Sequence, residues 1–248
     1  MPGRSTEAEF PNRTATDRHE YWAPRSATLI MSAAFAGATD EYGHGVLGNL
    51  SDAKGLTIHL RRPGSNKISC PAEAALPVGQ VFEDIAPRLA DLNGDGMPEI
   101  IVVQSGARSG ARLAIYNRRA ELVAATPYIG TRFRWLAPAG IGDMDQDGAV
   151  ELAYVDRPHL AKTLRVWRFE NGQLTEIATL GGVSNHRIGD EVIWGGMRNC
   201  AGTPQMVLAD GGFRRIVLVE LNRNRLQLRD TTLRPTPGNF SKVLACKE

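Results

Sequence analysis

The sequence predicts an all-β protein built from repeated units of four short strands. Three observations predict this class. An acidic nine-residue loop occurs twice at a fixed spacing, short runs of β-branched and apolar residues follow each copy, and the 248 residues include 26 glycines and 14 prolines, the residues of a turn-rich chain. Four strands in a unit of about fifty residues are typical of one blade of a β-propeller.

The acidic loop spans residues 91–99, Asp-Leu-Asn-Gly-Asp-Gly-Met-Pro-Glu, and residues 143–151, Asp-Met-Asp-Gln-Asp-Gly-Ala-Val-Glu, so the repeat is 52 residues long. Positions 1, 3 and 5 carry carboxylate or amide oxygens, position 6 is glycine, and position 9 is an acid. Together with the backbone carbonyl at position 7, these are the hard oxygen ligands that Ca²⁺ prefers. Neither loop contains histidine or cysteine, which argues against zinc and copper.

Each loop therefore predicts one calcium site. The ligands of the first are Asp91, Asn93, Asp95, the carbonyl of Met97 and Glu99. The ligands of the second are Asp143, Asp145, Asp147, the carbonyl of Ala149 and Glu151. The second has four acids against three, so we expect it to bind calcium more tightly. The alternative is a pair of metal-free turns, because Asp, Asn and Gly are ordinary turn-forming residues.

The surroundings of the loops differ from those of an EF-hand. An EF-hand needs a glutamate at position 12 and a helix on each side, whereas position 12 is Val102 in one loop and Tyr154 in the other. The residues after each loop, 99–104 and 151–156, are apolar or β-branched and form runs too short for a helix. We expect both loops to join β-strands.

Weaker copies of the unit flank the two acidic ones. Residues 40–48 and 197–205 keep a glycine in register but lose most of the ligand acids, so we expect them to bind no metal. The predicted organisation is a polar segment at 1–27 followed by a single domain at 28–248. Its blades lie at about 28–80, 81–130, 131–185 and 186–232, with a tail at 233–248. Either terminal segment is expected to add a strand or to close the ring.

The pattern D-x-[DN]-x-D-G-x-x-[DE] between two strands resembles the FG-GAP/VCBS repeat family. The two strong repeats cover about residues 82–182, and the weaker ones extend the resemblance to roughly 28–232. The segments 42–48 and 183–189 are further similar to small stand-alone bacterial members. The resemblance implies a propeller of four to five four-stranded blades, with calcium in the second and third.

Composition and charge restrict the classes of partner and the cellular location that we expect. A formal net charge of +2 gives no strong field, so we expect neither nucleic acid nor an anionic membrane as a partner. No run of 18 apolar residues is present, and the first 27 residues lack the apolar core of a secretion signal. Open calcium loops of this type usually need extracellular calcium concentrations. On that ground we expect a periplasmic or secreted protein, although the sequence shows no signal peptide.

The three cysteines are Cys70, Cys200 and Cys246. A bond between Cys200 and Cys246 would tie the chain end to the last unit and leave one odd thiol. Three unpaired thiols are an equally weighted alternative.

Beyond the loops, residues 185–187, Asn-His-Arg, follow the third predicted blade and form a candidate ligand face for a carboxylate, sugar or phosphate. The alternative is that His186 hydrogen-bonds neighbouring backbone and fixes a connection. The G-x-G-x-x-G string at 43–48 lacks a following helix, and no hydrolase or P-loop motif occurs.

We therefore predict a non-enzymatic, calcium-stabilised binding module for a protein or carbohydrate outside the cytoplasm. The rival function is a calcium-dependent hydrolase or lyase acting near His186 and Arg187. A third interpretation is a fragment that completes its propeller only with another chain.

Overall fold

The computed structural model describes residues 21–22, 30–61, 67–68 and 70–247. Within them it has eighteen strands and one short helix, so the all-β class is confirmed. The described residues form two compact units: one extends to Trp135 and includes Asn171–Gln173, and the other comprises the remaining residues from Leu136 onward. Among the described residues, no helix has the length and apolar composition needed to span a membrane. Most of the polar segment 1–27 lies outside the described residues.

The first unit is built from antiparallel strands. They are β1 (Tyr21–Trp22), β2 (Ile30–Thr39), β3 (Asp52–Arg61), β4 (Ala72–Ala75), β5 (Gln80–Phe82), β6 (Arg88–Ala90), β7 (Glu99–Gly106), β8 (Gly110–Tyr116) and β9 (Leu122–Ala125). The first four pair in sequence order, and β7, β8 and β9 form a second meander. Both β5 and β6 lie along the same edge of β7, as two parts of one interrupted strand.

The second unit contains two antiparallel sheets. The first sheet is β10 (Leu136–Gly142), β11 (Glu151–Asp156), β12 (Thr163–Glu170) and β13 (Gln173–Gly181). The second is β14 (Val183–Ser184), β15 (Gly196–Cys200), β16 (Thr203–Asp210), β17 (Ile216–Asn222) and β18 (Arg225–Asp230). Here β14 and β15 both pair with β16, which repeats the interrupted strand of the first unit.

The core of the second unit follows the two-residue period of its strands. In β16, Met206 and Leu208 pack with buried residues of the first sheet, such as Val155 and Val166. The alternating residues Val207 and Ala209 point the other way and pack against the helix α1 (Pro237–Leu244). The last sheet therefore has one face on a sheet and the other on a helix.

Helix α1 lies in the tail that was expected to add a strand or to close the ring. The Oγ1 of Thr236 accepts a hydrogen bond from the backbone N–H of Asn239, and Pro237 occupies the first turn. Phe240 and Val243 are fully buried against the last sheet. Over its described residues the tail forms a helix and no strand, which was not predicted because eight residues are too few to give a clear helical period in the sequence. Closure of the ring stays a prediction.

Strands β7 and β11 are buried along their whole length. Each is the strand that immediately follows an acidic loop. The loops are thus attached to fully buried strands.

Candidate metal centre

The two acidic loops occupy equivalent places in the fold. Residues 91–98 connect β6 to β7, and residues 143–150 connect β10 to β11. In both, the acid at position 9 is the first residue of the buried strand, so only 7% of Glu99 and none of Glu151 is exposed. The prediction that the loops join β-strands is confirmed.

The first loop is closed by carboxylates at its two ends. The Oδ1 of Asp91 accepts the N–H of Gly94 at 2.8 Å, and its Oδ2 accepts the N–H of Gly96 at 2.9 Å. At the other end, the Oε2 of Glu99 accepts the N–H of Leu92 at 2.9 Å. Leu92 is 4% exposed and anchors the loop in the core.

The second loop repeats these contacts. The two carboxylate oxygens of Asp143 accept the N–H groups of Asp147 and Gly148, at 3.1 and 3.0 Å. The Oε2 of Glu151 accepts the N–H of Met144 at 2.8 Å, and Met144 is buried. The contacts to the N–H groups at positions 2 and 6 are therefore the same in both loops, whereas the Oδ1 of the first acid accepts from position 4 in one loop and from position 5 in the other.

The glycine at position 6 is required by its backbone conformation. Gly96 has φ +81° and Gly148 has φ +93°, in the region that side chains rarely adopt. An added Cβ would meet nothing within 4 Å at either position, so space is not the constraint.

The donor set of the second loop fits a hard cation. One carboxylate oxygen from each of Asp143, Asp145 and Glu151 lies within 4.8 Å of the other two. In the first loop, Asn93 stands in the place of Asp145, and its Nδ2 donates to the Oε1 of Glu99 at 3.0 Å. Both sets consist of the oxygen ligands that calcium takes, and neither contains nitrogen or sulfur ligands that zinc prefers.

Burial raises the pKa of the innermost acid in each loop. The pKa of Glu99 is raised to about 7, first by burial and then by the negative charges of Asp95 and Asp91. The pKa of Glu151 is also raised to about 7 by burial, against the lowering effect of Arg168 and of the Met144 N–H. A cation bound among these acids would relieve the cost of burying their charge.

One basic residue that sequence reasoning missed reaches into the second loop. Arg168, in β12, pairs in register with Glu151. Its guanidinium lies 2.8 Å from the Oε1 of Glu151, 2.8 Å from Asp147 and 3.2 Å from Asp145. The alternation of β12 and the strand register could have placed Arg168 on this side of the sheet, but nothing within the loop motif indicates it.

The outer loop at 40–48 is filled by protein side chains. The ring of His44 stacks on Phe133 with centroids 5.0 Å apart, and its Nδ1 lies 2.5 Å from the Oε1 of Glu83. The other oxygen of Glu83 accepts the hydroxyl of Ser105 at 2.5 Å, and Glu83 is 2% exposed. The partner of His44 is therefore Glu83, which lies 39 residues away and is not indicated by the loop sequence.

The other outer loop, 197–205, is contracted to a tight hairpin. β15 and β16 are joined by Ala201 and Gly202 alone, both with positive φ, and Cys200 pairs with Thr203. A two-residue turn leaves no loop in which ligand oxygens could surround an ion. The expected absence of metal at both outer loops stays a prediction.

The candidate ligand face at 185–187 lies mostly inside the protein. Asn185 is 0% exposed, and its Nδ2 donates to the carbonyls of Ala137 and Pro138 at 3.2 and 2.9 Å. These carbonyls stand where the register of β10 shifts. Arg187 is exposed and is paired with Asp190 at 3.0 Å.

His186 is buried, with 1% exposed, and both of its ring nitrogens are engaged. Its Nε2 lies 2.9 Å from the carbonyl of Asp190, and its Nδ1 lies 2.8 Å from the Nε2 of His159. A carbonyl only accepts, so Nε2 carries the proton of a neutral ring and Nδ1 accepts from His159. Burial, followed by the charge of His159, lowers the pKa of His186 to about 4. This geometry favours a histidine that fixes the connection.

Cys200 and Cys246 are joined by a disulfide, with their Cα atoms 5.9 Å apart. The bond connects the end of β15 to the residues after α1. Next to it, the Nη1 of the buried Arg198 donates to the carbonyl of Val243 at 2.8 Å. Cys70 is exposed and unpaired.

Comparison with known families identifies the repeat. The model of the FG-GAP-like repeat matches residues 91–154, which contain both acidic loops and the strands between them. The resemblance inferred from the loop motif is confirmed over these residues. No curated protein matches the chain at a significant level.

Solved structures that match this chain include two GH43 enzymes. CoXyl43, a GH43 β-xylosidase/α-arabinofuranosidase from a compost microbial metagenome, is 14% identical, with 94% of this chain and 82% of that chain covered and a TM-score of 0.44. A GH43_1 enzyme from Xanthomonas citri is 14% identical, with 90% and 76% covered and a TM-score of 0.45. Similarities at this level carry no argument about function.

Proposed function

We propose that this chain, which matches the FG-GAP-like repeat over residues 91–154, is a calcium-stabilised binding module for a protein or a carbohydrate outside the cytoplasm. The observation that carries the proposal is the duplicated geometry of the two loops. In each, the acids at positions 1 and 9 close the loop. In the second, carboxylate oxygens of Asp143, Asp145 and Glu151 also lie within 4.8 Å of one another. Asp91, Asn93, Asp95, the carbonyl of Met97 and Glu99 would hold one ion. Asp143, Asp145, Asp147, the carbonyl of Ala149 and Glu151 would hold the other.

The proposed role of calcium is to stabilise the fold. The ion would neutralise acids that are partly buried at the entrance of β7 and β11, the fully buried strands. A carboxylate that is held on a metal is a poor general base, because the cation keeps it ionised and occupied. The acids of the repeated motif are therefore assigned to stability.

The proposed architecture is a single propeller domain of four to five blades, as the sequence predicts. It is supported by the shared plan of four strands around β7, β11 and β16, and by the interrupted first strand that precedes β7 and β16. A location in the periplasm or outside the cell belongs to the same proposal, since open calcium loops require extracellular calcium levels.

A second candidate function is an enzyme, and it is favoured by one observation away from His186. The buried carboxylate of Glu83 holds the Nδ1 of His44, whose side chain is 18% exposed. A buried acid that orients a partly exposed imidazole is an arrangement found in general-base sites. However, a cleft in the same unit is lined mainly by apolar groups such as Phe35 and Phe82, includes neither His44 nor Glu83 in its lining, and has its Asp84 paired with Arg88. We therefore place the binding function first.

The experiment that tests the proposal is thermal and chemical unfolding in calcium and in chelator. If calcium binds only the folded state, each bound ion should raise the free energy of unfolding by about 2.7 kcal/mol at a hundredfold excess of calcium over the Kd of its site. Native mass spectrometry should count two ions, because the outer loops lack the acids. A melting temperature that does not differ between millimolar calcium and chelator would rule out calcium stabilisation.

The enzyme alternative is tested by a broad hydrolase screen. Turnover that is abolished by His44→Gln, with the melting temperature retained, would replace the binding function. Loss of turnover in His186→Ala, with the melting temperature retained, would instead indicate an active site near His186 and Arg187.

A further inference from the structure

The two loops differ in one respect that the acid count does not reveal. In the 143–151 loop, the guanidinium of Arg168 is within ion-pair distance of Asp145, Asp147 and Glu151. In the 91–99 loop, no lysine or arginine among the described residues forms an ion pair with Asp91, Asp95 or Glu99. The contacts of those three acids are backbone N–H groups and the amide of Asn93.

From this difference we propose that Arg168 is a built-in counter-cation that competes with calcium for the 143–151 loop, so that the 91–99 loop is the tighter site. The inference rests on the proposed calcium function. It reverses the order of affinity expected from the number of acids.

The geometry places Arg168 directly on the ligand oxygens. Its Nε donates to the Oε1 of Glu151 at 2.8 Å, and its Nη2 lies between the two oxygens of Asp145 at 3.3 and 3.2 Å. Asp145 and Glu151 are two of the three acids whose oxygens converge as a candidate cation cluster. A calcium ion on these carboxylates would share them with the guanidinium, and the two positive charges would repel each other at close range.

Burial strengthens this competition. The side chain of Arg168 is 16% exposed, and those of Asp145 and Glu151 are 8% and 0% exposed. Charges shielded from water attract and repel each other more strongly than charges at the surface, and removing one partner of a buried pair leaves the other charge uncompensated. Without calcium, the same pairs hold the loop in its closed form.

The chain offers a matched control on the same strand. Arg165 of β12 pairs with Asp156 at 2.9 Å and with Glu176 at 2.8 Å, and its side chain is 29% exposed. Neither partner belongs to an acidic loop. Arg165→Gln therefore removes a bridging arginine of β12 without touching the calcium ligands.

The experiment measures calcium affinity by titration calorimetry in proteins that keep one loop. Asp143→Ala leaves the 91–99 loop, and Asp91→Ala leaves the 143–151 loop. We expect tighter binding in the Asp143→Ala protein. Adding Arg168→Gln to Asp91→Ala should raise the affinity about tenfold, because the competing cation is removed. Adding Arg165→Gln instead should change it less than about twofold.

A second readout does not depend on a calorimetric signal. In chelator, Arg168→Gln should melt below the wild type, because four acids then face one another without a cation. In millimolar calcium the difference in melting temperature between the two proteins should be smaller. Arg168→Lys keeps the charge but cannot bridge three acids. Its melting temperature should lie between those of the wild type and Arg168→Gln, both in chelator and in calcium.

The outcomes separate the two claims. Calcium binding at both loops, with an affinity at 143–151 that Arg168→Gln leaves unchanged, overturns the role of Arg168 and keeps the calcium function. Tighter binding at 143–151 than at 91–99 in the presence of Arg168 also overturns it. If no protein binds calcium, including those with Arg168→Gln, both the calcium function and the competition are wrong.

Discussion

Replacing Cys200 and Cys246 together by serine is expected to lower the free energy of unfolding by about 4 kcal/mol. The disulfide joins residues separated by 46 positions, and closing a loop of that length restricts the unfolded chain by about this amount in the chain-entropy model. Urea unfolding of the oxidised wild type and the double variant, both with Cys70 blocked, measures the difference.

The matched control for this prediction is Cys70→Ser, because Cys70 is exposed and unpaired. Its unfolding midpoint should stay within experimental error of the wild type. Intact-mass counting of thiols in unreduced protein should give one free thiol. Three free thiols, or equal stability of the double variant and the wild type, would contradict the prediction.

Acidification is expected to destabilise the protein through His186 by up to about 3 kcal/mol. The pKa of His186 is about 4 in the folded state, against an ordinary value of 6.5. Folding favours the neutral ring, so His186 makes its full contribution to the free energy of unfolding above about pH 6.5. It is lost as the pH falls toward 4, because the unfolded state takes up the proton first. One pKa unit corresponds to about 1.4 kcal/mol.

The measurement is the free energy of unfolding between pH 7 and pH 4 for the wild type and His186→Gln. The glutamine is neutral throughout, so the wild type should lose more stability than the variant over this range. Val183→Ala removes buried apolar volume beside the same connection without a titrating group, and should lower stability while keeping the wild-type slope. Parallel slopes for the wild type and His186→Gln would show that His186 is not held neutral by the fold.

The strands were predictable because their signals are local. The runs that follow the acidic loops, residues 99–104 and 151–156, form β7 and β11. A repeated pattern of apolar residues and turn formers defines these elements without knowledge of the fold. The acidic loops were also predictable, because their ligands are close in sequence.

The partners that cross between strands were not predictable from local patterns. Arg168 is 17 residues from Glu151 and reaches it only because β11 and β12 pair in one register. Glu83 is 39 residues from His44. Similarly, the burial of His186 depends on its contact with His159, on a neighbouring loop. A polar residue in a predicted loop is expected to be exposed, and only its contacts with residues distant in sequence show that it is buried.

Helix α1 has a consequence for assembly. The outer face of the last sheet, with Val207, Ala209, Ile216 and Leu218, would present a flat apolar surface if the helix were absent. Such surfaces, together with open strand edges, promote stacking of one copy on another. With Phe240 and Val243 seated on it and Cys246 bonded to Cys200, this face is capped. In repeat proteins, covering the last apolar face in this way is needed for solubility. Reduction of the disulfide would loosen the cap, and the first sign of its release would be self-association under reducing conditions.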